Sequence, residues 1–140
     1  MTDNLVSIMI KQHRGLQEDL GLVAKDLEEK ELDAKDVSRL LGKFTKDLTE
    51  HLELENNTFY VQLLEKMKEK GQDTAKTEQF VGQMKDIEKV VVAFLEKYGS
   101  AKSIEEKVEE FKAEFKNIVD TLVLRIESEE SGVYAYWGLF

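Results

Sequence analysis

The sequence predicts an all-α protein, an up-down-up-down antiparallel four-helix bundle. Three observations carry that reading. The 140 residues include no proline and only eight glycines, so little interrupts a helix. Apolar residues recur at steps of three and four along four long stretches, which is the period of a buried helical face. The breaks between the stretches are short, so neighbours in sequence should lie antiparallel. Residues 1–140 read as a single domain, because no repeat, low-complexity segment or linker divides them.

The first helix is expected from about Asn4 to Lys30, with Thr2 or Asp3 as its cap. Its inner stripe is Met9, His13, Leu16, Leu20, Val23 and Leu27. The second starts after Asp33, which caps it with Asp36 three residues on. It carries Val37, Leu41, Phe44, Leu48, His51 and Glu55, runs to about Lys70 and stops at Gly71. That is long for a globular helix, so a bend along it is expected. The third spans about Ala75 to Tyr98, ends at Gly99, and buries Phe80, Met84, Ile87, Val91, Phe94 and Tyr98. The fourth opens with Ser103 and Glu106 in capping-box spacing and continues to about Ser131. Its stripe is Ile104, Val108, Phe111, Phe115, Ile118 and Leu122, then Arg125 and Glu129. Gly132 interrupts, and Val133 to Phe140 form a final turn or short helix. The aromatics of that tail, Tyr134, Tyr136, Trp137 and Phe140, either cap the end of the bundle or mark a partner surface.

Polar residues break the apolar stripes at the same few places. His13 and His51 are the two histidines of the chain, and both sit on core faces. Glu55 follows His51 by one helical turn, and Glu129 follows Arg125 in the same way. Burying a polar group without a partner costs about 1–3 kcal/mol, so these residues need one another. With a rise of about 1.5 Å per residue, His13 and Glu55 fall within about two turns of a common level near the end of the fourth helix. Imidazole and carboxylate one turn apart on facing helices can hold a hard or borderline metal ion, Fe(II), Mn(II) or Zn(II). Arg125 cannot ligate and repels a cation, so it can instead neutralise Glu55 and Glu129 and leave the layer metal-free. Simpler readings stand beside these: a satisfied core histidine, a hydrogen-bonded His51–Glu55 pair, and an ion pair of Arg125 with Glu129.

Composition excludes several classes. With no cysteine, disulfides, thiolate metal sites and Cys nucleophiles are absent. A net charge of −9 disfavours nucleic acid and anionic lipid, and suits a cation or a basic partner. The start lacks a basic segment followed by a long apolar run, so no signal peptide is expected, and no stretch reaches the roughly 18 apolar residues of a membrane span. A cytoplasmic location follows as the expectation. No Ser/His/Asp set and no glycine-rich phosphate loop is visible, so an enzyme is the less favoured class.

His13 on the first helix and His51-Leu-Glu-Leu-Glu55 on the second resemble the hemerythrin-like, HHE cation-binding bundles. Arg125-Ile-Glu-Ser-Glu129-Glu130 is similar to that family's His-x-x-x-Glu-Glu segment, with Arg in the His place. The resemblance covers nearly the whole chain in length and helix order. It implies a two-iron centre bridged by two carboxylates, binding O₂ or sensing iron, oxygen or redox state. Carried over, His13 and His51 match ligands of one iron, and Glu55 and Glu129 match the bridging carboxylates. The other iron would need histidines on the third helix, which has none, and one at position 125. The resemblance therefore implies a degenerate site, holding one transition metal (iron, with Mn or Zn open) at His13, His51, Glu55 and Glu129, or else no metal. Arg125 then stands where the second metal would be. The alternative is a metal-free regulatory module that binds a protein partner, similar in architecture to anti-sigma-factor bundles of the regulator-of-sigma-D type.

Overall fold

The computed structural model describes residues 2–29 and 31–137, with side chains from residue 5 onward. Helix α1 spans Thr2–Leu27 and α2 spans Ala34–Leu54. A π-helical turn, Glu55–Phe59, joins α2 to α3, Tyr60–Glu69. Then come α4 (Ala75–Lys97), α5 (Ala101–Glu106), α6 (Val108–Ser131) and α7 (Val133–Trp137). Among the described residues there is no strand, and no helix is long and apolar enough to cross a membrane.

Helix α1 packs along α2 and also meets α6, and α4 packs on α6. Antiparallel order is visible in two cross-links. Lys43 Nζ donates to Asp19 Oδ1 at 2.7 Å, while His51 Nε2 lies 3.1 Å from His13 Nε2. As the residue number rises along α2, the partner's number falls along α1.

Local chemistry explains the ends. Asp33 is extended and accepts the Asp36 N–H, as its position before the Val37 stripe predicts. At the end of α3, Gly71 takes φ +69°, the left-handed region that only glycine adopts freely. Gln72 N–H then reaches Met67 O and Gly71 N–H reaches Lys68 O, the paired bonds of a Schellman stop.

Four boundaries differ from expectation. Helix α1 is already helical at Thr2 and ends at Leu27; its expected cap side chains and Lys30 lie outside the described residues. The second stretch does not run on as one α-helix to Lys70; the π-turn Glu55–Phe59 divides it, and the last helical residue is Glu69. The cap of the last stretch is Ser100, not Ser103. Ser100 is extended and accepts Ser103 N–H, and the Ser103 hydroxyl returns the bond to Ser100 N–H, so Ser103 fills the third helical position. The same stretch is broken at Lys107 (φ −141°, ψ 51°), and Ile104 and Phe111 are both fully buried across the break. On α4 the first buried positions are Thr77 and Val81, with Phe80 and Ile87 half-buried. Of the tail, Gly138 to Phe140 lie outside the described residues, and Val133, Tyr134 and Trp137 close the end of the bundle.

Candidate metal centre

The core is two apolar clusters with a polar layer between them. One cluster holds Leu16, Leu48, Leu52 and Leu122; the other holds Met9, Phe59, Tyr60, Val133 and Tyr134. On every contributing helix the polar residues lie between members of the two sets: His13 between Met9 and Leu16, His51 and Glu55 between Leu48 and Phe59, Arg125 and Glu129 between Leu122 and Val133. None of the five is more than 4% exposed. Helix α4 contributes Met84 near this level and no ionisable group to the layer.

The π-turn starts at Glu55. Tyr60 N–H bonds to Glu55 O, five residues back, which widens the turn by one residue. Consecutive Phe59 and Tyr60 thereby both enter the core, and the Tyr60 hydroxyl donates to Glu129 Oε2 at 2.7 Å. Gly132 ends α6 in an unusual conformation (φ −104°, ψ −97°), where a Cβ would come within 2.7 Å of Ser128 O. That corner turns α7 back over the bundle and delivers Tyr134 to the layer.

His13, His51, Glu55 and Glu129 each offer one ligand atom, and these atoms all lie within 4.8 Å of one another. The two imidazole Nε2 atoms are 3.1 Å apart. His13 Nε2 is 3.4 Å from Glu129 Oε1, and His51 Nε2 is 3.3 Å from Glu55 Oε2. Two ligand atoms, each about 2.1 Å from one metal and at octahedral to tetrahedral angles, lie roughly 3.0–3.4 Å apart. Arg125 spans the two carboxylates, donating from Nη2 to Glu55 Oε1 at 2.7 Å and from Nε to Glu129 Oε1 at 3.3 Å.

The outer side of each imidazole fixes what the inner side can do. His13 Nδ1 is 2.9 Å from Glu130 Oε2, and Glu130 is also bound by Arg14 at 2.5 Å. Burial pushes the Glu130 carboxyl up, but its bonds to His13 and Arg14 outweigh that and hold it below the usual range. An ionised carboxylate only accepts, so Nδ1 of His13 carries the proton. Burial lowers the His13 pKa despite Glu130, favouring the neutral ring, and its Nε2 is then a bare lone pair. His51 Nδ1 donates in the same way to Gln12 Oε1 at 2.7 Å. Two inward lone pairs this close need a cation or a shared proton between them. The donor set of two imidazoles and two carboxylates, with outer bonds holding each ring, fits a transition-metal ion.

The carboxylates are unequal. Burial raises Glu55, but a hydrogen bond from Glu129, the nearby His51 ring and the charge of Arg125 outweigh it and hold Glu55 well below the ordinary range. Burial and the neighbouring Glu55 push Glu129 well above it. Without a metal, one proton on Glu129 leaves Glu55 and Arg125 as a balanced pair. Burial alone would lower Arg125, yet Glu129 and Glu55 raise it, so it stays charged.

All four expected ligand positions and Arg125 meet in this one layer. Four further residues were not expected there. Glu130 and Gln12 hold the outer nitrogens of the imidazoles, and Tyr60 and Tyr134 bind the carboxylates. Glu130 was legible in principle, since it follows Glu129 and lies four residues before Tyr134 on a charged turn. The tyrosines carried no polar signal, because each also suits an apolar stripe.

No curated protein and no solved structure matched the chain. A family model did match, described as hemerythrin HHE cation binding domain, over residues 4–137. That span takes in α1 to α7, including the layer of His13, His51, Glu55 and Glu129, and by this match the chain belongs to the hemerythrin HHE cation-binding family.

Proposed function

We propose that this protein holds a single iron ion through His13, His51, Glu55 and Glu129, with Arg125 in the place of a second metal, and serves metal handling or oxygen and redox sensing. The observation that carries the reading is the pair of inward Nε2 atoms, 3.1 Å apart, whose outer Nδ1–H groups are both engaged. A shared cation satisfies both lone pairs, and the two carboxylates offset its charge. Bound iron would supply a one-electron couple and a position for a small exogenous ligand. A narrow space beside the layer, lined by Leu16, Leu20, Leu48, Leu122 and Ile126, has room for about one water-sized molecule. The leucines keep bulk water away, while Glu130 and Gln12 keep the rings aimed. A cytoplasmic site of action accords with the cysteine-free sequence.

Elemental analysis of untagged protein purified without chelator, beside His51→Ala, tests this. About one equivalent of iron in the wild type, lost in the variant, is the expected result. A second reading has its own support: Arg125, Tyr60 and Tyr134 already satisfy Glu55 and Glu129 with protein donors. In that reading a proton joins the imidazoles and the bundle acts as a metal-free module for a protein partner. Two folded proteins that hold no metal, and gain no stability from iron, manganese or zinc, would decide for it.

A further inference from the structure

The geometry points to Tyr134 as a fifth ligand, binding the metal through a deprotonated phenol oxygen. This inference rests on the one-metal reading above. The Tyr134 hydroxyl lies 3.2 Å from His13 Nε2 and donates to Glu55 Oε2 at 2.7 Å. The first separation matches that of the other ligand atoms from one another, while the second is a hydrogen bond to an oxygen that itself faces His51 Nε2 at 3.3 Å. The oxygen thus lies beside two of the four proposed ligand atoms, one from an imidazole and one from a carboxylate. By contrast, the Tyr60 hydroxyl donates to Glu129 Oε2, whereas it is Glu129 Oε1 that lies 3.4 Å from His13 Nε2.

The ring is held for this role. It stacks on the His13 ring at 5.4 Å and 18°, and Phe59 meets it edge-on at 5.1 Å and 81°. Tyr134 is 3% exposed, and α7 anchors it with Val133 and Trp137 in the same cluster. Lys66 lies 4.0 Å over the Trp137 ring and fastens the far side of that helix.

Charge supplies the reason. A divalent ion, Arg125 and two ionised carboxylates sum to one excess positive charge in a layer with almost no exposure. A phenolate cancels it, and for a trivalent ion it lowers the excess from two to one. Two protons leave to solvent when the metal enters, one from the Tyr134 phenol and one from the Glu129 carboxyl. In the metal-free layer the phenol proton is the one donated to Glu55 Oε2 at 2.7 Å.

The test loads wild type, Tyr134→Phe and Tyr60→Phe with ferric citrate, removes excess iron, and compares iron content with visible absorption and resonance Raman spectra. The wild type and Tyr60→Phe should show a phenolate-to-iron(III) charge-transfer band with tyrosinate ring vibrations. Tyr134→Phe should keep iron and lose both. Iron-loaded wild type without the band, or a band that survives in Tyr134→Phe, overturns the inference and leaves the one-metal reading standing. Wild type that holds no iron overturns both. Should Tyr134→Phe fail to fold, Tyr60→Phe decides: a retained band supports Tyr134, and a lost band overturns it.

Discussion

Replacing Arg125 with methionine exposes what holds the polar layer together when no metal is present. Methionine has similar reach but neither charge nor donor. Arg125 donates to Glu55 at 2.7 Å and to Glu129 at 3.3 Å, and both carboxyl residues are fully buried. Removing one partner of a buried ion pair costs about 3–5 kcal/mol, because the remaining charge stays in a poorly solvating interior. A proton can relieve part of that. Burial already works to raise Glu55, and the lost guanidinium is one of the charges that hold it down. The folded variant should then bind one more proton at pH 7 than the folded wild type. The unfolded chains differ little in their carboxylates. Since the folded variant binds the extra proton, its stability relative to wild type rises as pH falls, by about 1.4 kcal/mol per unit. Relative to wild type the gain continues as pH falls past the ordinary carboxylate value of 4.5, because the folded wild type holds Glu55 ionised well below it. The expected deficit is about 3 kcal/mol at pH 7 and roughly 1.5 kcal/mol at pH 6. Urea unfolding followed by circular dichroism, with EDTA present at both pH values, measures it. A deficit below about 1 kcal/mol at pH 7, the size of a surface ion pair, would refute the reasoning. So would one of equal size at the two pH values.

Other substitutions separate metal binding from packing. Metal at about one hundred times its Kd should stabilise the wild type by about 2.7 kcal/mol, and His51→Ala should abolish that gain in a thermal or urea titration. Glu130→Gln weakens the acceptor on His13 Nδ1 and should lower metal affinity about 10–100-fold by competition with a chromophoric chelator, while the helical content stays the same. Gly132→Ala puts a Cβ within 2.7 Å of Ser128 O, so it should cost about 1–3 kcal/mol and loosen α7, seen as faster amide exchange over Val133–Trp137. Phe111→Ala empties a fully buried site remote from the layer and should cost about 3–5 kcal/mol in urea unfolding, with metal content per folded chain unchanged.

Much of the architecture was legible because helical burial is a local pattern. The stripe Val37, Leu41, Phe44, Leu48, His51, Glu55 is buried at every position. Asp33 caps α2 and Gly71 ends α3, since those signals act within one turn of chain. Ser103 misled for the opposite reason: Ser100 offered an equivalent oxygen three residues earlier, and spacing cannot choose between two good caps. The aromatic tail offered two fates, and its described part took the capping one because Val133, Tyr134 and Trp137 found the cluster of Met9 and Phe59 to cover.

The sequence by itself determined which faces of the helices are buried and that histidine, glutamate and arginine interrupt those faces. Periodicity depends only on neighbours within a turn or two, so it survives in the linear chain. Tertiary structure alone decided which of these residues meet. His13 and Glu130 are 117 positions apart, and Glu55 and Tyr134 are 79 apart. The π-turn that sends Tyr60 to Glu129 and the Gly132 corner that returns Tyr134 to His13 leave no periodic trace. Their outcome is set by packing between helices, where a shift of one residue changes every partner, and that register is a property of the whole core.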